Sequence, residues 1–209
     1  MRKSVPREYF ESLAVAVVLA LFVRTWVLQA FKIPSGSMEP GLLVGDHLIV
    51  NKMEFAPAAT SFERAIMPGR PIQRGDVIVF KYPQEPERDF IKRVIGLPGD
   101  TVELRRKKVF INGNPIEEPY AHFLEPASTD GMPRTDDRRE EYGPVSVPPH
   151  QYFMMGDNRD NSEDSRYWGF MPEWYVKGQA LFIYFAVGDE SRVPVLGGIR
   201  WSRLLNRVR

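Results

Sequence analysis

The chain has 209 residues, with 28 Lys and Arg against 27 Asp and Glu, a net charge of +1, and 43% hydrophobic and 26% charged residues. This is an ordinary globular balance, and nothing in it marks the whole chain as a nucleic-acid binder. Cysteine is absent, which excludes a disulfide framework, a thiol nucleophile and a thiolate metal site, and leaves the redox compartment open.

Leu13 to Val23 is apolar without a break, and the apolar character resumes after Arg24 and Thr25 through Trp26, Val27, Leu28, Ala30 and Phe31. A bilayer-spanning helix needs roughly 20 mainly apolar residues. Three readings compete: a buried core helix, a cleavable signal peptide and a permanent anchor. No Ala-x-Ala follows the apolar core, which speaks against cleavage. The anchor is the favoured reading, over residues 10–31, with Arg24 snorkelling its charge to the headgroups. Arg2, Lys3 and Arg7 precede it, so the positive-inside tendency places residues 1–9 in the cytoplasm and everything after about residue 32 on the far side.

From Leu42 onward, short β-branched and aromatic runs alternate with turn residues, as strands do. They are Leu48–Val50, Val77–Phe80, Phe90–Ile95, Val102–Leu104, Val109–Ile111, Val145–Val147, Tyr152–Met155 and Ala180–Ala186. The 18 prolines and 16 glycines agree with a chain richer in strand than helix. Asn112-Gly113 is a strong two-residue hairpin signal. Glu117 to Gly143 is rich in charge and proline and reads as a solvated excursion. Ala56 to Pro71 is a second loop candidate. The tail carries Arg200, Arg203, Arg207 and Arg209; it is either a solvated terminus or a contact for anionic headgroups.

Chemistry has few places to sit. His47, His122 and His150 form no H-x-x-x-H pattern and read as ordinary loop or surface histidines, and no phosphate-binding glycine loop is present. Ile33-Pro34-Ser35-Gly36-Ser37-Met38-Glu39-Pro40 places two serines in a Pro/Gly loop, where serines normally satisfy turn backbone. Asp89 to Asp100 contains Lys92 inside an apolar strand pattern. Alternation puts Phe90, Lys92 and Val94 on one face and Ile91, Arg93 and Ile95 on the other, so one basic side chain must meet an apolar surface. Lys92 is either a snorkelling lysine on an edge strand or a lysine desolvated for a purpose. A serine needs a base to become a nucleophile, and an exposed lysine of pKa about 10.4 is neutral only about once in a thousand at pH 7.4. Burial lowers that pKa, and serine–lysine pairs are a known form of nucleophile and base. Gly156 to Gly169 is a polar loop by composition; its acidic spacing is not that of a calcium hand.

Together these segments closely resemble bacterial type I signal peptidases. The anchor, IPSGSMEPGLLVGDHLIV, RGDVIVFKYP, DFIKRVIGLPGD and GDNRDNSEDSRYWGF occur in order over nearly the whole chain. The resemblance implies a mainly β protein: a catalytic domain of coiled antiparallel sheet at 32–100 and 152–209, a smaller inserted β lobe at 101–151, and one N-terminal transmembrane helix. It implies Ser37 as nucleophile, Lys92 as general base, Ser37 N–H and the Ser35 hydroxyl as oxyanion hole, and Ser162 as the group orienting Lys92. Asp164 and Arg166 are implied as a structural ion pair, and Gly156 as the point of close backbone approach. Phe31, Ile33, Met38, Leu42, Phe90 and Ile91 are implied as walls of shallow pockets for small side chains.

No metal and no cofactor is expected. The expected partners are signal peptides of secreted preproteins, the lipid bilayer and neighbouring export machinery, with no nucleic acid; the expected place is the bacterial inner membrane. Gly41 departs from the Thr common after Met-x-Pro, which bears on loop geometry only. The rival readings are a soluble serine–lysine autoprotease, which lacks its DNA-binding domain here, a tethered binding module without catalysis, and an organelle or thylakoid processing enzyme.

Overall fold

The computed structural model describes residues 5–55, 69–124, 137–188 and 198–208. Arg2, Lys3, Arg209, most of the Ala56–Pro71 loop and the middle of the Glu117–Gly143 excursion lie outside the described residues.

Helix α1 (Val5–Phe22) runs into a wider π-type turn at Val23–Val27. Pro6–Val27 is a 22-residue stretch of mean hydropathy 1.8, none of it buried against the rest of the protein. At about 1.5 Å per residue it spans about 33 Å, enough for a hydrocarbon core of about 30 Å. The boundary differs from the expected 10–31. The helix ends at Val27, and Leu28–Lys32 form strand β1 instead. Its backbone pairs along β2 (Asp46–Asn51) from Leu28 opposite Asn51 to Lys32 opposite His47. Gln29 and Lys32 break the apolar run, and the β2 ladder supplies the hydrogen bonds that a helix would have made internally.

The remaining strands are β3 (Val77–Tyr82), β4 (Glu85–Gly96), β5 (Thr101–Arg105), β6 (Lys108–Ile111), β7 (Asn114–Pro115), β8 (Tyr142–Ser146), β9 (Gln151–Met155), β10 (Met171–Pro172) and β11 (Val176–Ala186). A seven-stranded sheet has the order β1-β2-β11-β3-β4-β9-β10, and a four-stranded sheet the order β7-β6-β5-β8. Neighbouring strands in both are antiparallel. The chain is therefore mainly β. Long β11 is bent by register shifts at Val176/Gly178, Ala180/Phe182 and Ile183/Phe185, which lets it serve both β2 and β3.

Strand β3 is buried on both sides, so it shows no polar alternation. Val77 and Val79 enter a cluster with Ile33, Met38, Leu42 and Ile91. Ile78 and Phe80 enter a second with Val94, Met154 and Trp168. The small sheet leaves the large one after β4 and returns at β9, and its own cluster includes Ile95, Phe153 and Met155 from those two strands. Asn112 (φ 52°) and Gly113 (φ 80°) make the tight turn between β6 and β7. Arg106 (φ 49°) and Lys107 (φ 66°) make an equivalent turn between β5 and β6 without any glycine. Lys107 is held there by a 2.8 Å ion pair to Asp160 and by its N–H donating to Glu140 O.

Candidate active site

Three segments meet at one point. The first follows β1. Ile33 N–H donates to Asp46 O at 2.8 Å, and Gly45 N–H donates back to Ile33 O at 3.0 Å, which fixes the chain before a short 3-10 turn at Gly36–Met38. The second is β4, which is paired to β3 with Lys92 opposite Ile78. The third is the loop after β9. Ser37 and Lys92 are both buried, and Lys92 Nζ lies 2.6 Å from Ser37 Oγ. Burial lowers the Lys92 pKa to about 8, the positive charge of Arg166 pushes the same way, and the carboxylates of Asp164, Glu163 and Asp157 pull against them. Phe90 shares Lys92's side of β4, and the amine stands 5.6 Å from the centre of its ring.

The loop is organised by Asp164 and Arg166, both fully buried. Arg166 Nε and Nη2 donate to the two carboxylate oxygens at 2.8 Å each. Arg166 Nη2 also donates to Arg159 O, and Asp164 accepts the Gly156 N–H at 3.1 Å. Asp164 caps the one-turn helix α2 (Ser165–Trp168) by accepting from Arg166 N–H. Burial works to raise the Asp164 pKa, but the charge and hydrogen bonds of Arg166 together with Lys92 overcome it, and the net displacement is downward. Gly156 has no room for a side chain: a Cβ would overlap both the Ser162 hydroxyl and the Ser37 carbonyl.

One expected contact is not made in the structure. The Ser162 hydroxyl is buried but hydrogen-bonds to nothing among the described residues, so the expected bond to Lys92 is not made. The amine is directed at Ser37 instead, and Ser162 lies against Gly156. The six apolar residues, expected as walls of shallow pockets, divide between two clusters. Ile33, Met38, Leu42 and Ile91 are core, at 2%, 1%, 2% and 9% exposure, with Phe31 packed at their margin. Phe90 belongs to the other cluster, stacked on Tyr82 at 4.2 Å between ring centres. Ser35 is exposed and extended (φ −138°, ψ 155°), two residues before Ser37 on the same turn.

The family profile described as signal peptidase, peptidase S26, matches residues 6–185. The chain is 37% identical to a signal peptidase I of Pseudomonas aeruginosa, over 87% of this chain and 73% of that one. It is 40% identical to a probable signal peptidase I-1 of Synechocystis, over 86% and 82%, and 34% identical to a signal peptidase I of Aquifex aeolicus, over 90% and 88%. The chain belongs to the S26 signal peptidase family. As a member it is a serine peptidase, a hydrolase.

Around the serine and lysine, this peptidase has supports that the sequence reading did not single out. Arg93, next to Lys92, is equally buried and makes a two-pronged pair with Asp157 at 2.8 and 2.6 Å, its guanidinium 4.0 Å from the Tyr120 ring centre. Asn158 N–H donates to Ser37 O at 3.1 Å, and its side-chain amide donates to Gly36 O at 3.2 Å. Arg159 is clamped by Glu118, and His122 pairs with the loop backbone on both sides, through Asp157 O and Arg159 N–H. One signal for these contacts was present: two adjacent basic residues on opposite faces of a buried strand both need partners. Among the described residues no group of three or more His, Asp or Glu is arranged to hold a metal ion.

Proposed function

We propose that this peptidase is a membrane-anchored signal peptidase in which Ser37 and Lys92 form the catalytic dyad, cutting exported preproteins after small-x-small sites. The observation that carries the reading is the 2.6 Å contact between a buried serine hydroxyl and a buried lysine amine whose pKa lies near 8. At that value about one lysine in ten is neutral at pH 7, against about one in a few thousand for an exposed one. Neutral Lys92 takes the Ser37 proton as Oγ attacks the scissile carbonyl carbon. The ammonium then returns a proton to the departing amine, leaving an acyl-serine. Water, deprotonated by the same lysine, releases the signal peptide.

The Ser37 N–H and the Ser35 hydroxyl stabilise the oxyanion that exists only in the transition state. Ser162 orients the lysine as it gains and loses its proton; its buried hydroxyl, with no hydrogen-bond partner among the described residues, supports that role. Gly156, Asp164 and Arg166 hold the loop against the dyad. The substrate adds as an extended strand to the outer edge of β1, which ends the large sheet and leads directly to Ser37. Phe31, Ile33, Met38, Leu42, Phe90 and Ile91 wall shallow pockets that favour small side chains. The catalytic domain comprises 32–100 and 152–209, with 101–151 as the inserted lobe. With the N-terminus cytoplasmic, the dyad faces outward at the bacterial inner membrane, beside the export machinery.

The test is cleavage of a purified preprotein in detergent by wild type, Ser37→Ala and Lys92→Ala, with mass spectrometry of the products. One cut after a small-x-small sequence by wild type, and none by either folded variant, is expected. Near-wild-type cleavage by either variant overturns the mechanism, and binding without cleavage by wild type favours a tethered binding module.

A further inference from the structure

A groove of about 1050 Å³ opens where the helix meets the large sheet, walled by Leu19, Val23, Leu28 and Ile49 and carrying Arg24 and Lys52. Neither basic residue belongs to the dyad or its supports. Lys52 follows β2 directly. Its N–H donates to Val27 O at 2.9 Å and its ammonium to Thr25 O at 2.5 Å, so it closes the carbonyl end of the helix. An ammonium has three protons, and this contact uses one. The Arg24 side chain is exposed and makes no ion pair or hydrogen bond among the described residues.

Depth sets what meets these charges. Helix Pro6–Val27 is unburied, with a mean hydropathy of 1.8 and an unbroken apolar run from Leu13 to Val23. Arg24 lies in its last turn, next to Trp26, which is 62% exposed. Tryptophan and arginine at the end of a span sit at the headgroup level. The groove therefore presents two cations at the height of lipid phosphates and an apolar wall at the height of the first acyl carbons. A free phosphate ion has no use for that wall, and a zwitterionic lipid brings no net charge to the cations.

We propose that this groove is a binding site for the headgroup of an anionic phospholipid, its phosphodiester between Arg24 and Lys52 and one acyl chain along Leu19 and Val23. The site rests on the reading of α1 as a membrane anchor. Gln29 and Ala30 of β1 line the same groove. The occupied site thus lies against the strand that leads to Ser37.

The experiment uses the full chain, wild type and Arg24→Gln/Lys52→Gln, with Lys108→Gln on the small sheet as a control for loss of charge. Lipid retention is read by native mass spectrometry from micelles doped with phosphatidylglycerol or phosphatidylcholine, and thermal melting checks the fold. Wild type and Lys108→Gln are expected to retain one phosphatidylglycerol. The double variant is expected to bind it about twenty-five-fold more weakly, from about fivefold per basic residue at a membrane surface. Phosphatidylcholine should bind weakly to all three, and inorganic phosphate should not displace the lipid. Equal retention by the double variant, equal affinity for the two lipids, or displacement by phosphate overturns the site. Flotation with phosphatidylcholine vesicles separates this from failure of the anchor: a chain that does not float sinks both readings, and one that floats without preference for the anionic lipid sinks only this one.

Discussion

Lys92 is where function and stability pull apart. The unfolded chain holds the lysine proton up to about pH 10.5, whereas the folded protein releases it near 8. The folded state binds fewer protons between those values, so stability rises with pH across that window. Below about pH 8 the full cost of the buried charge is present, roughly 3 kcal/mol for a shift of this size. Lys92→Met removes that cost, forfeits about 1 kcal/mol of hydrogen bonding at Ser37, and should stabilise the protein by about 2 kcal/mol at pH 7. Denaturant titration at pH 7 and pH 10.5 checks this. The gain should disappear at the higher pH, and a variant weaker than wild type at pH 7 contradicts it. With Lys92 as the proposed base, kcat/KM should rise about tenfold from pH 7 to pH 9 with an apparent midpoint near 8, and a flat profile in that range would remove Lys92 from that role. Gly156→Ala forces a methyl into space held by Ser162 and Ser37 and should lower kcat at least a hundredfold, with little change in binding of an uncleavable peptide. Lysine in an apolar strand is a pattern that a sequence displays. The stranded Ser162 hydroxyl is not, because a displacement of an ångström decides whether it reaches the amine.

Among the elements, β4 does the most to build the site, since its successive residues serve different cores. Ile91 packs with Ile33 and Met38, Phe90 stacks on Tyr82, Lys92 meets Ser37, and Arg93 meets Asp157. A buried pair that loses one partner leaves an uncompensated charge at a cost of about 3–5 kcal/mol. Asp157→Ala should therefore destabilise the protein on that scale, and Arg93→Met added to it should recover most of the loss. Chemical denaturation of the two variants decides the matter, and failure to recover would mean that Asp157 acts through the backbone contacts of its loop. Alternation made the two faces of β4 legible, and β-branched runs between turn residues marked eight strands. Strand β1 was not legible, because Leu28, Ala30 and Phe31 continue an apolar run and only pairing with β2 separates strand from helix. The Arg106-Lys107 turn was hidden for a similar reason: neither residue favours a positive φ, and the Asp160 and Glu140 contacts that hold Lys107 are distant in sequence.

Over the whole molecule, the helix and the sheets are joined end to end with little shared surface: among the described residues no part of Pro6–Val27 is buried, and Lys52 caps only its last turn. The seven-stranded sheet starts one residue after that span, and Ser37 follows ten residues after Val27. The order of anchor, serine, lysine and loop was visible in the sequence, but their convergence depends on β11 bending to join β2 to β3, which no local pattern specifies. This arrangement assigns the anchor a role in encounter rather than in stability or chemistry. A chain beginning at Leu28 should melt within about two degrees of the full protein, because little more than exposed surface and the two Lys52 contacts is lost. It should cleave a short soluble peptide at the full-length rate. Its cleavage of a preprotein inserted in the same vesicles should fall by about a hundredfold or more, since confinement of both partners to one membrane multiplies their effective concentration by at least that factor. Peptide and preprotein rates measured side by side separate the possibilities. Equal losses on both substrates would mean that α1 shapes the dyad, and no loss on either would mean that the β domain finds the membrane without it.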